Sequence, residues 1–119
     1  MVKREDMFLK NYTGVLMCNK EPLLYFKIEN QRLVDFKKFR KDMKYFPGEF
    51  YLMGISYASI NLFFRDRVVL DGSQFIREFL DGIGLKEYDF EKIVKHFHGG
   101  NNLDNWWVDE EVDKYLKEV

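Results

Sequence analysis

The chain reads as an α+β domain, with a small, mostly antiparallel sheet in its N-terminal half and helices packed on one side in its C-terminal half. Three observations predict this. Apolar residues alternate with period two before the Pro47-Gly48 break. After Ser56 the apolar spacing becomes three and four. Finally, 119 residues, 46% of them hydrophobic, suffice for one core over residues 1–119 but not for two.

The strands come first. "TGVLMCN" (13–19) and "PLLYFKIE" (22–29) are short apolar runs. In the second, Leu24, Phe26 and Ile28 share one face, and Leu23, Tyr25 and Lys27 the other. Asn30-Gln31 predicts a tight turn into "RLVDFKKF" (32–39), read as a third strand although Leu33, Phe36 and Phe39 also fit helical spacing. After Pro47-Gly48, "EFYLMG" (49–54) reads as a short fourth strand.

The helices follow. "SYASINLFFRDR" (56–67) puts Tyr57, Ile60, Phe63 and Phe64 on one face. "DGSQFIREFLDGIG" (71–84) offers Asp71 or Ser73 as N-cap, an apolar stripe of Phe75, Ile76, Phe79, Leu80 and Ile83, and Gly84 as stop. "YDFEKIVKHFHGG" (88–100) opens at Asp89, turns Phe90, Ile93, Val94 and Phe97 inward, and ends at its glycines. "NWWVDE" (105–110) reads as a brief extended segment. The tail "EEVDKYLKEV" has Val112, Tyr115, Leu116 and Val119 at helical spacing.

Composition narrows the function. A net charge of −1, from 19 basic and 20 acidic residues, lacks the excess that drives phosphate-backbone binding. The basic run Lys37, Lys38, Arg40, Lys41 and Lys44 around Phe39 is the best nucleic-acid patch available, and as a bland alternative its lysines blunt a sheet edge. The lone Cys18 cannot form an internal disulfide and is expected reduced and buried. A charged N-terminus and the lack of any long apolar run point to the cytoplasm and away from membranes.

Catalytic signals are thin. His96, His98 and Asp104 are the nearest approach to a metal set. Residues two apart on a helix diverge, however, and the sequence supplies no further histidine. "HGGNN" ends a helix and lacks phosphate-loop spacing. No cofactor is expected. What stands out is aromatic: 12 Phe, 7 Tyr and 2 Trp, with adjacent pairs at Phe63-Phe64 and Trp106-Trp107. Neighbours on a strand face opposite ways, so one indole packs inward and the other turns outward to anchor a partner or lies under the tail helix.

"NLFFRDRVV", "IREFLDGIGL" and "LDNWWV" together resemble the small proteins encoded beside HipA-type Ser/Thr kinases. The likeness runs over roughly residues 12–108, through an aromatic pair (Phe63-Phe64), a following arginine (Arg67) and a closing Asp-x-aromatic-Trp-aliphatic motif (Asp104, Trp106, Trp107, Val108). It departs from that pattern at Leu70, Ser73 and "GGNNLD". The resemblance implies a non-enzymatic protein that resembles the kinase's N-terminal subdomain and restrains the kinase within a toxin–antitoxin-type system. The resulting expectation is an interaction module that docks through Phe63, Phe64, Arg67, Trp106 and Trp107, with Asp104 fixing the loop. The alternative is an inhibitor carried by a phage or mobile element, directed at a host defence or replication protein.

Overall fold

The computed structural model describes residues 7–68, 74–100 and 104–116. It shows the predicted α+β architecture. Strands β1 (Tyr12–Cys18), β2 (Glu21–Glu29), β3 (Arg32–Lys38) and β4 (Trp106–Asp109) form one sheet in the order β3-β2-β1-β4. Every neighbouring pair is antiparallel. The Asn30-Gln31 turn joins β2 to β3 with both residues left-handed, φ 52° and 64°. That twist matches the twist of the strands it connects.

Leu16, Leu24, Phe26, Ile28 and Val108 line the main core, while Val15, Met17 and Tyr25 build a second cluster. Successive residues of a strand point to opposite faces, so the sheet is apolar on both sides. On the main face lie α1 (Gly48–Met53), α2 (Tyr57–Arg65) and α4 (Phe90–His96), which contribute Phe50, Ile60, Phe63, Phe64, Phe90 and Val94. The short α5 (Asp113–Leu116) covers the second face with Tyr115 and Leu116. The expectation of helices on one side therefore holds for the large core but not for the tail.

The "EFYLMG" stretch is helical, not a strand. Pro47 sets the entry at φ −58°, Phe50 alone is buried, and Gly54 ends the turn at φ 69°. A run of four apolar residues does not distinguish a strand from one turn of helix, and proline before glycine and glutamate favours a helix start. The fourth strand lies at β4 instead. Helix α2 starts on a capping box in which Ser56 and Ser59 satisfy each other's backbone N–H groups. Its Asn61 is buried, accepting from the Leu9 N–H (2.8 Å) and donating to the Met7 carbonyl (3.0 Å).

Helix α3 (Ile76–Gly82) is shorter than expected. It follows Phe75, itself left-handed and 66% exposed, and only Leu80 of the proposed stripe is fully buried. The expected caps Asp71 and Ser73, and Val119 in the tail, lie outside the described residues. Asp89 caps α4 as expected, accepting from the Lys92 N–H. Phe97, expected inward, is 43% exposed. It stacks on Phe79 at 6.0 Å, because α4 has already ended at His96 and Phe97 leaves its inward stripe. Cys18 is half-buried and free.

Candidate functional site

Arg67 organises the motif residues into one cluster, yet it does so inside the fold. It follows α2, and its side chain is 7% exposed. Its guanidinium pairs with both oxygens of Asp104 at 2.6 and 2.8 Å. Its Nε donates to the Gly99 carbonyl (2.9 Å) and Nη2 to the Trp106 carbonyl (2.9 Å). The guanidinium carbon sits 4.6 Å above the Phe63 ring. Asp104 also accepts from the Trp106 N–H at 3.1 Å. One planar five-donor group thus ties the end of α2 to the α4–β4 loop and to the first residue of β4. Chiefly through these Arg67 hydrogen bonds, and against burial, the Asp104 carboxyl titrates below the usual range.

The loop can wrap the arginine because of how α4 ends. His98 is left-handed at φ 52° and donates its N–H to the Lys95 carbonyl, while the Gly99 N–H reaches the Val94 carbonyl at 2.9 Å. These two bonds form a Schellman closure with a histidine, not a glycine, in the left-handed position. Gly99 comes next, also at positive φ, and is pressed against Phe64 and Val108. A Cβ there would lie 2.7 and 2.8 Å from their side chains. "HGGNN" is therefore a helix stop whose glycine is fixed by contact as well as by backbone angle.

The expected docking residues are brought together, but mostly not at the surface. Phe63 and Phe64 are 2% and 1% exposed, edge to face at 5.0 Å. They offer a partner no area, because adjacent residues on α2 both fall within the wide stripe that a sheet-covering helix buries. Trp106 packs edge-on to Phe63 at 6.2 Å and donates its indole N–H to the Tyr45 carbonyl (2.8 Å). Trp107 turns to the other face, against the cluster that α5 covers, and donates to the Asn19 carbonyl (2.6 Å). Both indoles are half-buried, so the opposite-face expectation holds with the tail helix lying over the second ring.

The tail is held by Asp109, the last residue of β4. It accepts from the Tyr115 hydroxyl (2.6 Å), the Lys114 amine (2.9 Å) and the Glu111 N–H (3.0 Å). Burial alone would raise this carboxyl, but those hydrogen bonds outweigh it and hold it low.

The histidines separate. His96 stands edge-on to Phe97 at 4.8 Å, whereas His98 Nδ1 meets Glu110 Oε2 at 2.9 Å. Glu110 also accepts from the Tyr12 hydroxyl at 3.1 Å. Burial first, and then this carboxylate, push the Tyr12 phenol well above its ordinary range. An open cleft of about 370 Å³ lies here, lined by Asn11, Tyr12, Thr13, Lys95 and Glu110. Asp104 is committed to Arg67. Among the described residues no three His, Cys, Asp or Glu side chains gather to hold a metal. Sequence reading missed Glu110, which no motif marks.

The real apolar surface lies elsewhere. Tyr51, Leu52 and Met53 of α1 are exposed, Leu52 at 88%. The sequence does not mark them as a surface, because a single apolar turn between Pro47 and Gly54 fits strand and helix spacing alike. Of the basic run, Lys37 and Lys38 stand on the edge strand β3, Arg40 stacks on Tyr45 at 4.3 Å, and Lys44 lies 5.4 Å over the same ring. Among the described residues no helix is long and apolar enough to cross a membrane. Compared with known proteins, the chain matches no family model, no curated protein and no solved structure.

Proposed function

We propose that the chain is a non-catalytic protein-interaction module whose partner is a HipA-type kinase, docked through helix α1. One observation carries this reading. A six-residue helix buries a single side chain, Phe50, and turns three consecutive large apolar residues to solvent. Such exposure costs solubility and is the ordinary mark of a contact surface. The helix is also a rigid platform. It packs against α2, and Phe50 meets Phe63 at 6.1 Å. The motif residues then act as scaffold, since Phe63, Arg67 and Asp104 hold in place the layer on which α1 rests. The choice of kinase rests on the resemblance of those motifs.

Isothermal titration of the purified chain against a HipA-type kinase from a neighbouring gene tests the reading. We expect saturable binding that slows the kinase, and loss of both with Leu52→Glu at unchanged thermal stability. Absence of binding at 100-fold the concentration of a typical micromolar contact, or binding indifferent to Leu52→Glu and Tyr51→Glu, overturns it.

A further inference from the structure

The geometry points to a second copy of this chain as the occupant of the open edge of the sheet, pairing antiparallel through β3 about a two-fold axis at Phe36. A four-stranded sheet has two edges. The β4 edge is closed from within, where the Val108 N–H donates outward to the His98 carbonyl at 2.6 Å. Among the described residues nothing covers the β3 edge. Six of its seven residues are exposed, and Phe36 keeps 48% of its surface.

The backbone parity of that edge is fixed by one bond. The Phe39 N–H donates to the Leu23 carbonyl, directly opposite in the β2–β3 register. Counting back by two, Lys37 and Asp35 turn their polar backbone groups toward β2, while Phe36 and Lys38 turn theirs outward. A second strand must therefore set even residues opposite even residues. Among two-fold centres from Asp35 to Lys38, a centre at Asp35 opposes two aspartates, and centres at Lys37 or Lys38 oppose two lysines. The centre at Phe36 alone places Asp35 opposite the copy's Lys37, twice, on one face. On the other face it sets Phe36 against Phe36.

Among the described residues Asp35 and Lys37 form no ion pair: Lys27, opposite Asp35 in the β2–β3 register, pairs with Glu29 at 3.6 Å, and the Lys37 amine lies 5.4 Å over the Phe39 ring. Both are thus available. Unlike charges and an aromatic pair directly across strands favour association, and like charges oppose it. The lysines that blunt this edge against other registers leave this one open. The product is a continuous eight-stranded sheet, and α1 lies outside the pairing strand.

Sedimentation equilibrium of the full chain from 5 to 500 µM tests the pairing. We expect a monomer–dimer equilibrium. Asp35→Lys and Lys37→Asp should each weaken it at least tenfold, with the far-UV circular dichroism of the folded chain retained because both side chains are exposed. Mixing the two variants should restore a heterodimer, since each then opposes unlike charges twice. The double variant should dimerise by itself. A wild type monomeric throughout, a dimer indifferent to Asp35→Lys, or two variants that fail to associate on mixing would each overturn the inference.

Discussion

Replacing Asp104 with alanine strips the partner from a guanidinium that is 7% exposed and keeps only two of its four hydrogen bonds. Breaking a buried pair in this way costs about 3–5 kcal/mol when both groups are dry. Asp104 keeps 28% of its side-chain surface, and water can enter the space it vacates, which reduces the penalty to about 2–3 kcal/mol. With unfolding entropy of roughly 2.1 cal/mol/K per residue, 1 kcal/mol moves Tm by about 4 °C in 119 residues. Asp104→Ala should therefore lower Tm by about 8–12 °C in a calorimetric scan at pH 7. The sign of the pH dependence follows from the lowered carboxyl. The pair's contribution is complete above the unfolded carboxylate range, about pH 4, and is lost as pH falls through the lower folded value. The gap between wild type and variant should accordingly close in acid. A double-mutant cycle with Arg67→Leu should return a coupling above about 1 kcal/mol. A Tm change under 2 °C, or a gap that does not narrow below pH 4, would refute the latch.

Three further expectations follow from the same structure. Gly99→Ala should cost about 2–4 kcal/mol in urea unfolding, combining a left-handed alanine with overlap on Phe64 and Val108, whereas Gly84→Ala, at φ 81° with open space around it, should cost only about 1 kcal/mol. Asp109→Ala should release the tail from the second face. Tryptophan emission should shift to the red, with faster amide exchange confined to residues 111–116, and an unchanged spectrum would disprove that Asp109 holds the cover over Trp107. Glu49 is raised by burial and then by the neighbouring Asp66 carboxylate, so its ionisation weakens the fold as pH rises through the folded value. Glu49→Gln should gain a few tenths of a kcal/mol at pH 7 and nothing below about pH 4, as read from paired denaturation curves.

How much of this was legible beforehand depends on whether a signal was local. The three N-terminal strands, the Asn30-Gln31 turn, the Asp89 cap and the inward face of Ile60, Phe63 and Phe64 follow from periodicity and turn chemistry. Those are properties of a few adjacent residues. The nature of 49–54 did not follow, since one apolar turn satisfies both periods. Glu110 was invisible because its partners Tyr12 and His98 lie 98 and 12 positions away. The docking role that the resemblance implies for Phe63 and Phe64 meets a tertiary constraint no local pattern shows, since a helix laid across a sheet buries a stripe wide enough for both.

The sequence by itself determined an α+β chain with a strand-forming half, a helix-forming half, and two indoles on opposite sides of one extended segment. Backbone preference and the two-residue and 3.6-residue periods act locally, so they can be read in order along the chain. Only the tertiary structure decided which strand completes the sheet and where Arg67 spends its five donors. It also decided which edge and which helix keep apolar surface in water. Those outcomes depend on what residues far apart in the chain bring into contact, and burial is a property of the assembled layers.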